Sequence, residues 1–467
     1  MSIKAAYMVP HPPMIVPAIG KGSEAQIEET TRSYEQIADD IARQQPETII
    51  VTTPHSIMYA DYFHISPGKG AKGSFAGFGA PQEKFEVTYD TELVKEICGT
   101  ADAWKFPAGT LGERDKSLDH ATMVPLWFIE KAYERLGVEK NYKLVRIGLS
   151  ALPLTDHYRL GQIIRASVDI LGRSAVIVAS GDLSHKLQEY GPYGFAEEGP
   201  LYDARIIDVC GRGAFGELFD FGESFCENAA ECGHRSFVIM AGAFDGEAVD
   251  AKALSHQDVT GVGYGLCTFY PTGPDESRRF LDRYLEKMES EAAAKRSQSD
   301  AYVQLARKSL ESYILKRERI PVPDDLPEEM LNTRAGAFVS IHKNGALRGC
   351  IGTIGPTTDC VAQEIIDNAI SASTRDPRFP AIGPDELQFL DINVDVLGEP
   401  EDIESEDELD VKKYGVIVSS VGKRGLLLPD LEGVDTVQQQ IAIAKQKAGI
   451  HRFESVKLQR FEVIRHV

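Results

Sequence analysis

The chain has 467 residues, 43% of them hydrophobic and 26% charged, which is more than one core normally organises and excludes a disordered or fibrous polymer. Fifty basic against 71 acidic side chains leave a formal charge of -21, so nucleic acid and anionic membrane surfaces are poor partners. Seven cysteines, an odd number without CxxC spacing, give neither a disulfide framework nor a zinc ribbon, and reduced thiols are expected. The opening MSIKAAYMVPHPPM lacks the apolar run of a signal peptide, and no later stretch approaches the ~20 apolar residues of a bilayer span. A cytoplasmic location is therefore expected.

In chain order, short β-branched runs occur at Glu47–Thr53, Lys143–Leu149 and Ser174–Ala179. Stretches of helical periodicity, Ser23–Gln45 and Asp156–Leu171, alternate with them, which predicts an α/β fold. The strand-like Gly261–Tyr270 ends at Pro271-Thr-Gly-Pro274, read as a turn and a domain boundary. This gives a first domain over residues 1–272, a charged helical linker over 273–300 and a second domain over 301–467. The second domain opens with the amphipathic AYVQLARKSLESYIL and continues with strands near Ala337–His342, Asp391–Leu397, Gly415–Ser419 and Gly425–Leu428, an α+β pattern. The acidic Glu399–Asp410 is expected to be an exposed loop, because its like charges repel in a packed element.

Most of the eleven histidines, among them His64, His157, His256, His342, His451 and His466, are read as packed or surface residues. Three follow strand candidates: His11 after AAYMVP, His55 after ETIIVTTP and His185 after SAVIVASGDLS. Loops at the carboxyl ends of strands in α/β sheets converge on one crevice, where ligands bind. His120, in LDHATMVPLWF ahead of an apolar helix, joins the candidates, while Asp182 and Ser184 read as turn residues positioning His185. Two imidazoles and a carboxylate leave open positions on Fe(II) for substrate and dioxygen. The segment Glu231-Cys-Gly-His-Arg235 offers a third ligand: Glu231 suits oxygen-activating iron, whereas Cys232 or His234 points towards zinc or copper.

The segments VPHPP, TTPHS, LDHATMVPL and SGDLSH, in that order, resemble the histidine motifs of class III, LigB-type extradiol ring-cleavage dioxygenases. The resemblance covers nearly the whole first domain. It implies an α/β fold, His11 and His55 as metal ligands, His185 as acid/base and His120 as a group contacting substrate or bound oxygen. It further implies an iron-dependent oxidoreductase acting on a catechol-like aromatic with dioxygen. The same domain is similar to Memo proteins, whose corresponding motif resembles Cys232-Gly-His-Arg235. That likeness implies instead a protein holding iron, copper or zinc for redox or regulatory purposes without ring cleavage.

In the second domain, Ala346-Leu-Arg-Gly-Cys-Ile-Gly352, Ser373-Thr-Arg-Asp-Pro-Arg-Phe-Pro380 and Gly425-Leu-Leu-Leu-Pro429 resemble the motifs of AMMECR-like domains. That resemblance implies an α+β fold and, by association, a radical SAM protein as partner. Gly349 and Gly352 flank Cys350, which is read equally as a displayed thiol and as a buried structural cysteine. Arg348, Arg375 and Arg378 are read either as binders of an anionic ligand or as local contacts. A homodimer is the base-rate expectation for assembly.

Overall fold

The computed structural model describes residues 2–343, 346–431 and 433–467. The chain divides into two compact units, Met1–Tyr284 and Leu285–Val467. In the first, β1 (Ile3–Val9), β2 (Thr48–Thr53), β3 (Lys143–Gly148) and β4 (Ala175–Ser180) run parallel. Two further strands, β5 (Glu247–Gln257) and β6 (Tyr264–Pro274), add antiparallel pairing in the order β3-β2-β4-β1-β6-β5. Every residue of β2 (TIIVTT) and β4 (AVIVAS) is buried. That is what a parallel sheet covered on both faces demands, and it explains the continuous β-branched runs.

The helices α1 (Glu28–Gln44), α2 (Thr91–Ala103), α3 (His120–Leu136), α4 (Leu154–Leu171), α5 (Glu198–Arg212) and α6 (His234–Gly242) accompany the sheet. Tyr34 of α1 stacks on Phe128 of α3 with centroids 4.1 Å apart. Asp119 caps α3 by accepting the Thr122 N–H at 3.0 Å, which fixes where His120 begins the helix. Against α4, α6 packs through glycine: a Cβ on Gly161 would lie 2.0 Å from the Ile239 carbonyl, and one on Gly242 would lie 1.9 Å from the Tyr158 carbonyl.

Two readings of the sequence change. Pro271-Thr-Gly-Pro274 is not a turn, because β6 runs on to Pro274 alongside β5. Beyond Phe269 the β6–β1 register ends, so the prolines sit where one edge needs no ladder donor, and the register shifts between Pro271 and Gly273. Nor is Glu399–Asp410 wholly loop. Glu401–Ile403 forms a short strand, with Asp402 paired to Lys457 at 2.7 Å and Glu401 to Arg460 at 3.1 Å, so cross-strand cations answer the repulsion.

The helix α7 (Phe280–Gln298) carries the chain from one unit to the next and is followed by α8 (Ala301–Lys316). The second unit has β7 (Ala337–Lys343), β8 (Ala346–Gly352), α9 (Val361–Thr374), β9 (Leu390–Leu397), β10 (Glu401–Ile403), β11 (Tyr414–Ser420), β12 (Lys423–Leu427), α10 (Val437–Lys447) and β13 (Lys457–His466). Asn344 and Gly345, at the end of the predicted run AFVSIHKNG, lie outside the described residues. The sheet order is β8-β7-β9-β13-β11-β12, with β10 also on β13. Its first core buries Leu305 and Leu310 of α8 and Ile365 and Ile366 of α9 against Val339 and Ile392. Among the described residues no helix is long and apolar enough to cross a membrane.

The α4–α6 crossing yields a test. Gly161→Ala and Gly242→Ala each add a methyl where only backbone could yield, and overpacking costs about 1–3 kcal/mol or more. This exceeds the ~1 kcal/mol that alanine offers in helix propensity. Both variants are expected to melt below the parent in thermal unfolding; an unchanged or raised Tm would show that the helices separate freely.

Candidate metal centre

His11 follows β1 and is 2% exposed. The Asp182 carboxylate accepts its backbone N–H at 2.7 Å, and its Nδ1 stands 3.0 Å from Ser180 Oγ. Ser180 donates its own hydroxyl hydrogen to the Ala121 carbonyl at 2.7 Å. The oxygen can therefore only accept from His11, which places the proton on Nδ1 and leaves Nε2 with its lone pair towards His55 and Cys232. Opposite, His55 Nε2 lies 3.1 Å away, and Cys232 Sγ lies 3.7 Å from the same His11 nitrogen.

His55 sits two residues beyond β2. Its backbone N–H donates to Thr53 Oγ1 at 3.2 Å, and that hydroxyl donates to Asp119 at 2.7 Å, the carboxylate that also caps α3. The same carboxylate thus steadies His55 and starts the helix bearing His120. The His120 ring is 4.2 Å from that of His55 and 5.3 Å from that of His11, and the exposed Phe78 lies against it at 5.4 Å.

Cys232 reaches the site because two loops touch backbone to backbone. A Cβ on Gly181 would lie 2.0 Å from Gly233 Cα. Across this contact the Cys232 N–H donates to the Asp182 carbonyl at 3.4 Å and the Asp182 N–H donates to Cys232 Sγ at 3.3 Å. His185, past the end of β4, donates its N–H to the Ala229 carbonyl and stacks its ring on Tyr193 at 5.0 Å. Its Nε2 is buried without a hydrogen-bond partner. The Ser184 N–H behind it donates to Asp203, whose other oxygen holds His256 Nε2 at 2.7 Å.

Two groups of donor atoms could each surround one ion, His11–His55–Cys232 and Asp182–His185–Cys232, with atoms within 4.8 Å of one another in each. Of the candidate ligands, the structure gathers His11, His55 and Cys232. Glu231 stands outside both groups, its carboxylate accepting the His234 N–H at 2.6 Å at the opening of α6. His234 faces the core, with Nε2 3.0 Å from the Leu218 carbonyl and Nδ1 3.3 Å from Tyr202 Oη. Ser180 and Asp119 carry no motif that marks them in the sequence. Their only signal is position, a hydroxyl closing a buried strand and a carboxylate preceding a helix.

Burial dominates the electrostatics. It pushes His120 down to about 4, aided by His55, and His185 also to about 4, aided by His55. His11 is held well below its usual value by burial and then by the three neighbouring imidazoles. Asp182 is pushed up to about 7 by burial against the opposing His11 N–H, and Glu231 also rises to about 7 by burial. Neutral imidazole is the ligating form, so burial prepares the rings for a cation. Burial likewise holds the Cys232 thiol protonated, and binding must displace that proton.

In the second unit, Cys350 donates its N–H to Asp376 at 2.9 Å and receives the Ser340 hydroxyl on Sγ at 3.2 Å. Arg378 clamps Asp376 at 3.0 and 2.7 Å, and Arg348 clamps Glu386 with two bonds of 2.9 Å. A Cβ on Gly349 would lie 2.2 Å from the Ala372 carbonyl of α9, which is why that position takes no side chain. All seven cysteines are free.

Fold and site together define an α/β domain with an imidazole–thiol cluster at the carboxyl edge of its sheet, buried at His11 and open to solvent at His55. Residues 5–267 match the family described as the catalytic LigB subunit of aromatic ring-opening dioxygenase, and residues 303–466 match AMMECR1. A protein of Clostridium acetobutylicum is 42% identical over 475 residues, covering 100% of this chain and 99% of its own. A protein of Thermotoga maritima is 52% identical over 167 residues, covering 35% of this chain and 96% of its own. The crystal structure of an uncharacterized protein from Pyrococcus horikoshii is 31% identical, covers 35% of this chain and 88% of its own, and superposes with a TM-score of 0.34. The chain belongs to the LigB family and carries a C-terminal AMMECR1 domain.

The Ser180 relay makes a sharp prediction. Ser180→Ala removes the acceptor that fixes the His11 tautomer, and loss of such an orienting partner typically weakens metal affinity by roughly 10- to 100-fold. Chelator competition on folded variant is expected to show that loss. Parental affinity would mean that another group orients His11.

Proposed function

We propose that the LigB domain holds one redox-active transition-metal ion between His11 Nε2, His55 Nε2 and Cys232 Sγ, and that it acts as a metal-dependent redox protein. The observation that carries this reading is the position of Cys232 Sγ, 3.7 Å from His11 Nε2 beside the 3.1 Å pair of imidazole nitrogens. The donor set fits: the Nε2 atoms of buried His11 and exposed His55 stand 3.1 Å apart, beside a thiol whose sulfur already accepts a backbone N–H. Two imidazoles and one thiolate suit copper, iron or zinc. A bound copper or iron would supply one-electron redox change and coordinate an oxygen-bearing substrate.

The chain's own residues divide the remaining work. Ser180 holds His11 in the ligating tautomer, and Thr53 with Asp119 anchors the loop of His55. The Asp182 N–H favours the thiolate of Cys232 through a charge-assisted bond. Phe78 and Tyr193 cover His120 and His185 at the rim, reducing access of bulk water.

A second reading, iron-dependent extradiol cleavage of a catechol-like aromatic by dioxygen, is supported by His185. Its buried, unpartnered Nε2 is placed to take a proton from a substrate hydroxyl and return it. On this reading His185→Ala retains metal while turnover falls by roughly 10²-fold or more.

Elemental analysis of anaerobically purified full-length protein is expected to give about one iron or copper per chain. His55→Ala and Cys232→Ala should each lose it, and Glu231→Gln should retain it. Zinc alone would sink the redox role, and full metal content in Cys232→Ala would remove the thiol from the ligand set. Oxygen electrode traces with catechols then separate the two readings: metal without catechol-dependent uptake supports the first, and uptake that vanishes in His185→Ala establishes the second.

A further inference from the structure

The three arginines of the AMMECR1 motifs have different fates. Arg348 and Arg378 are both held bidentately by carboxylates of the chain, so their charges are spent internally. Arg375 is exposed, and its guanidinium makes no hydrogen bond or ion pair among the described residues. It stands immediately after α9 and lines a cavity of about 280 Å³ with Tyr313, Arg319, Asp367, Ile370 and Ser371.

Arg319 enters this cavity from the segment beyond α8 and pairs with Asp367, while the Arg317 guanidinium lies 5.6 Å from the centre of the Tyr313 ring. Two guanidinium groups, those of Arg319 and Arg375, line this cleft with a single carboxylate, that of Asp367, which already pairs with Arg319. In a chain of formal charge -21 such a local cationic surplus runs against the whole-molecule field. Asp367 answers Arg319, which leaves the Arg375 guanidinium as the charge that an anion would neutralise.

We infer that this cleft binds a small organic phosphate, with Arg375 as its principal anchor. Arginine forks match phosphate oxygens in pairs, which gives Arg375 a bidentate grip on a tetrahedral dianion, while Arg319, held by Asp367, adds positive charge to the wall of the cleft. The Tyr313 ring and the buried Ile370 give the organic part an apolar wall. The volume falls just below the roughly 300–1,000 Å³ of ligand clefts, which fits a small metabolite rather than a polymer. The inference is independent of the metal centre.

Isothermal titration of the full-length protein tests it, using inorganic phosphate, adenosine monophosphate and succinate at matched ionic strength. Saturable binding of both phosphates is expected, tighter for the monophosphate ester and weak or absent for succinate. Arg375→Ala should weaken the phosphates by roughly 10- to 100-fold, the scale of charge-assisted hydrogen bonds, and Arg375→Lys by less. Because Arg375 is exposed, the melting temperature without ligand should stay at the parental value. No saturable binding of either phosphate, equal binding by Arg375→Ala, or a preference for succinate would overturn the assignment.

Discussion

The candidate metal centre depends on one close approach, the backbone of Gly181 against that of Gly233. A Cβ on Gly181 would lie 2.0 Å from Gly233 Cα, and one on Gly233 would lie 2.4 Å from the Phe237 ring. With neither present, the loop after β4 and the loop before α6 exchange hydrogen bonds through Asp182 and Cys232. Asp182 also accepts the His11 N–H, so β1, β4 and the Cys232 loop meet at one residue. Separate these loops by a methyl, and the thiol leaves a site that both histidines still face.

The second constraint is the energetic strain of burying so much ionisable chemistry together. Charged imidazoles in a buried cluster repel one another and lack solvent, so each of the four is driven towards its neutral form. Neutral rings still need their polar atoms satisfied. His11 Nδ1 achieves this through Ser180, whereas His185 Nε2 does not. An unsatisfied buried nitrogen costs about 1–3 kcal/mol, and His64 and His157 each leave a buried Nε2 in the same state.

Legibility in the sequence follows the same physics. The parallel strands β2, β3 and β4 could be read because burial on both faces forces continuous β-branched runs, and His11, His55 and His185 could be read because each follows an apolar strand candidate, whereas the antiparallel β5 carries no such run. Cys232 could not be separated from Glu231 and His234, because neighbouring residues in a tight turn point in different directions. Which one faces the cavity is decided by Gly181, about fifty residues earlier in the chain. The same limit applies to Pro271 and Pro274: proline suggests a turn until it is known that β1 ends its pairing at Phe269. The acidic segment joins a sheet because Lys457 and Arg460 stand across from it, and periodicity cannot reveal partners so distant in sequence.

In the second domain, the hexapeptide around Cys350 has a packing explanation that needs no chemistry at the sulfur. Gly349 lies on the α9 backbone, the Cys350 N–H binds Asp376, and Arg378 grips Asp376 while donating to the Cys350 carbonyl at 3.2 Å. Strand, helix end and loop are thereby closed into one ring of bonds. A ring of that kind consumes the charges of Asp376 and Arg378, just as Glu386 consumes that of Arg348. Arg375, one residue before Asp376, lies outside the ring, and its charge is directed to the cleft instead of to the fold. The motif therefore combines residues that hold the domain together with one that remains available to something outside it.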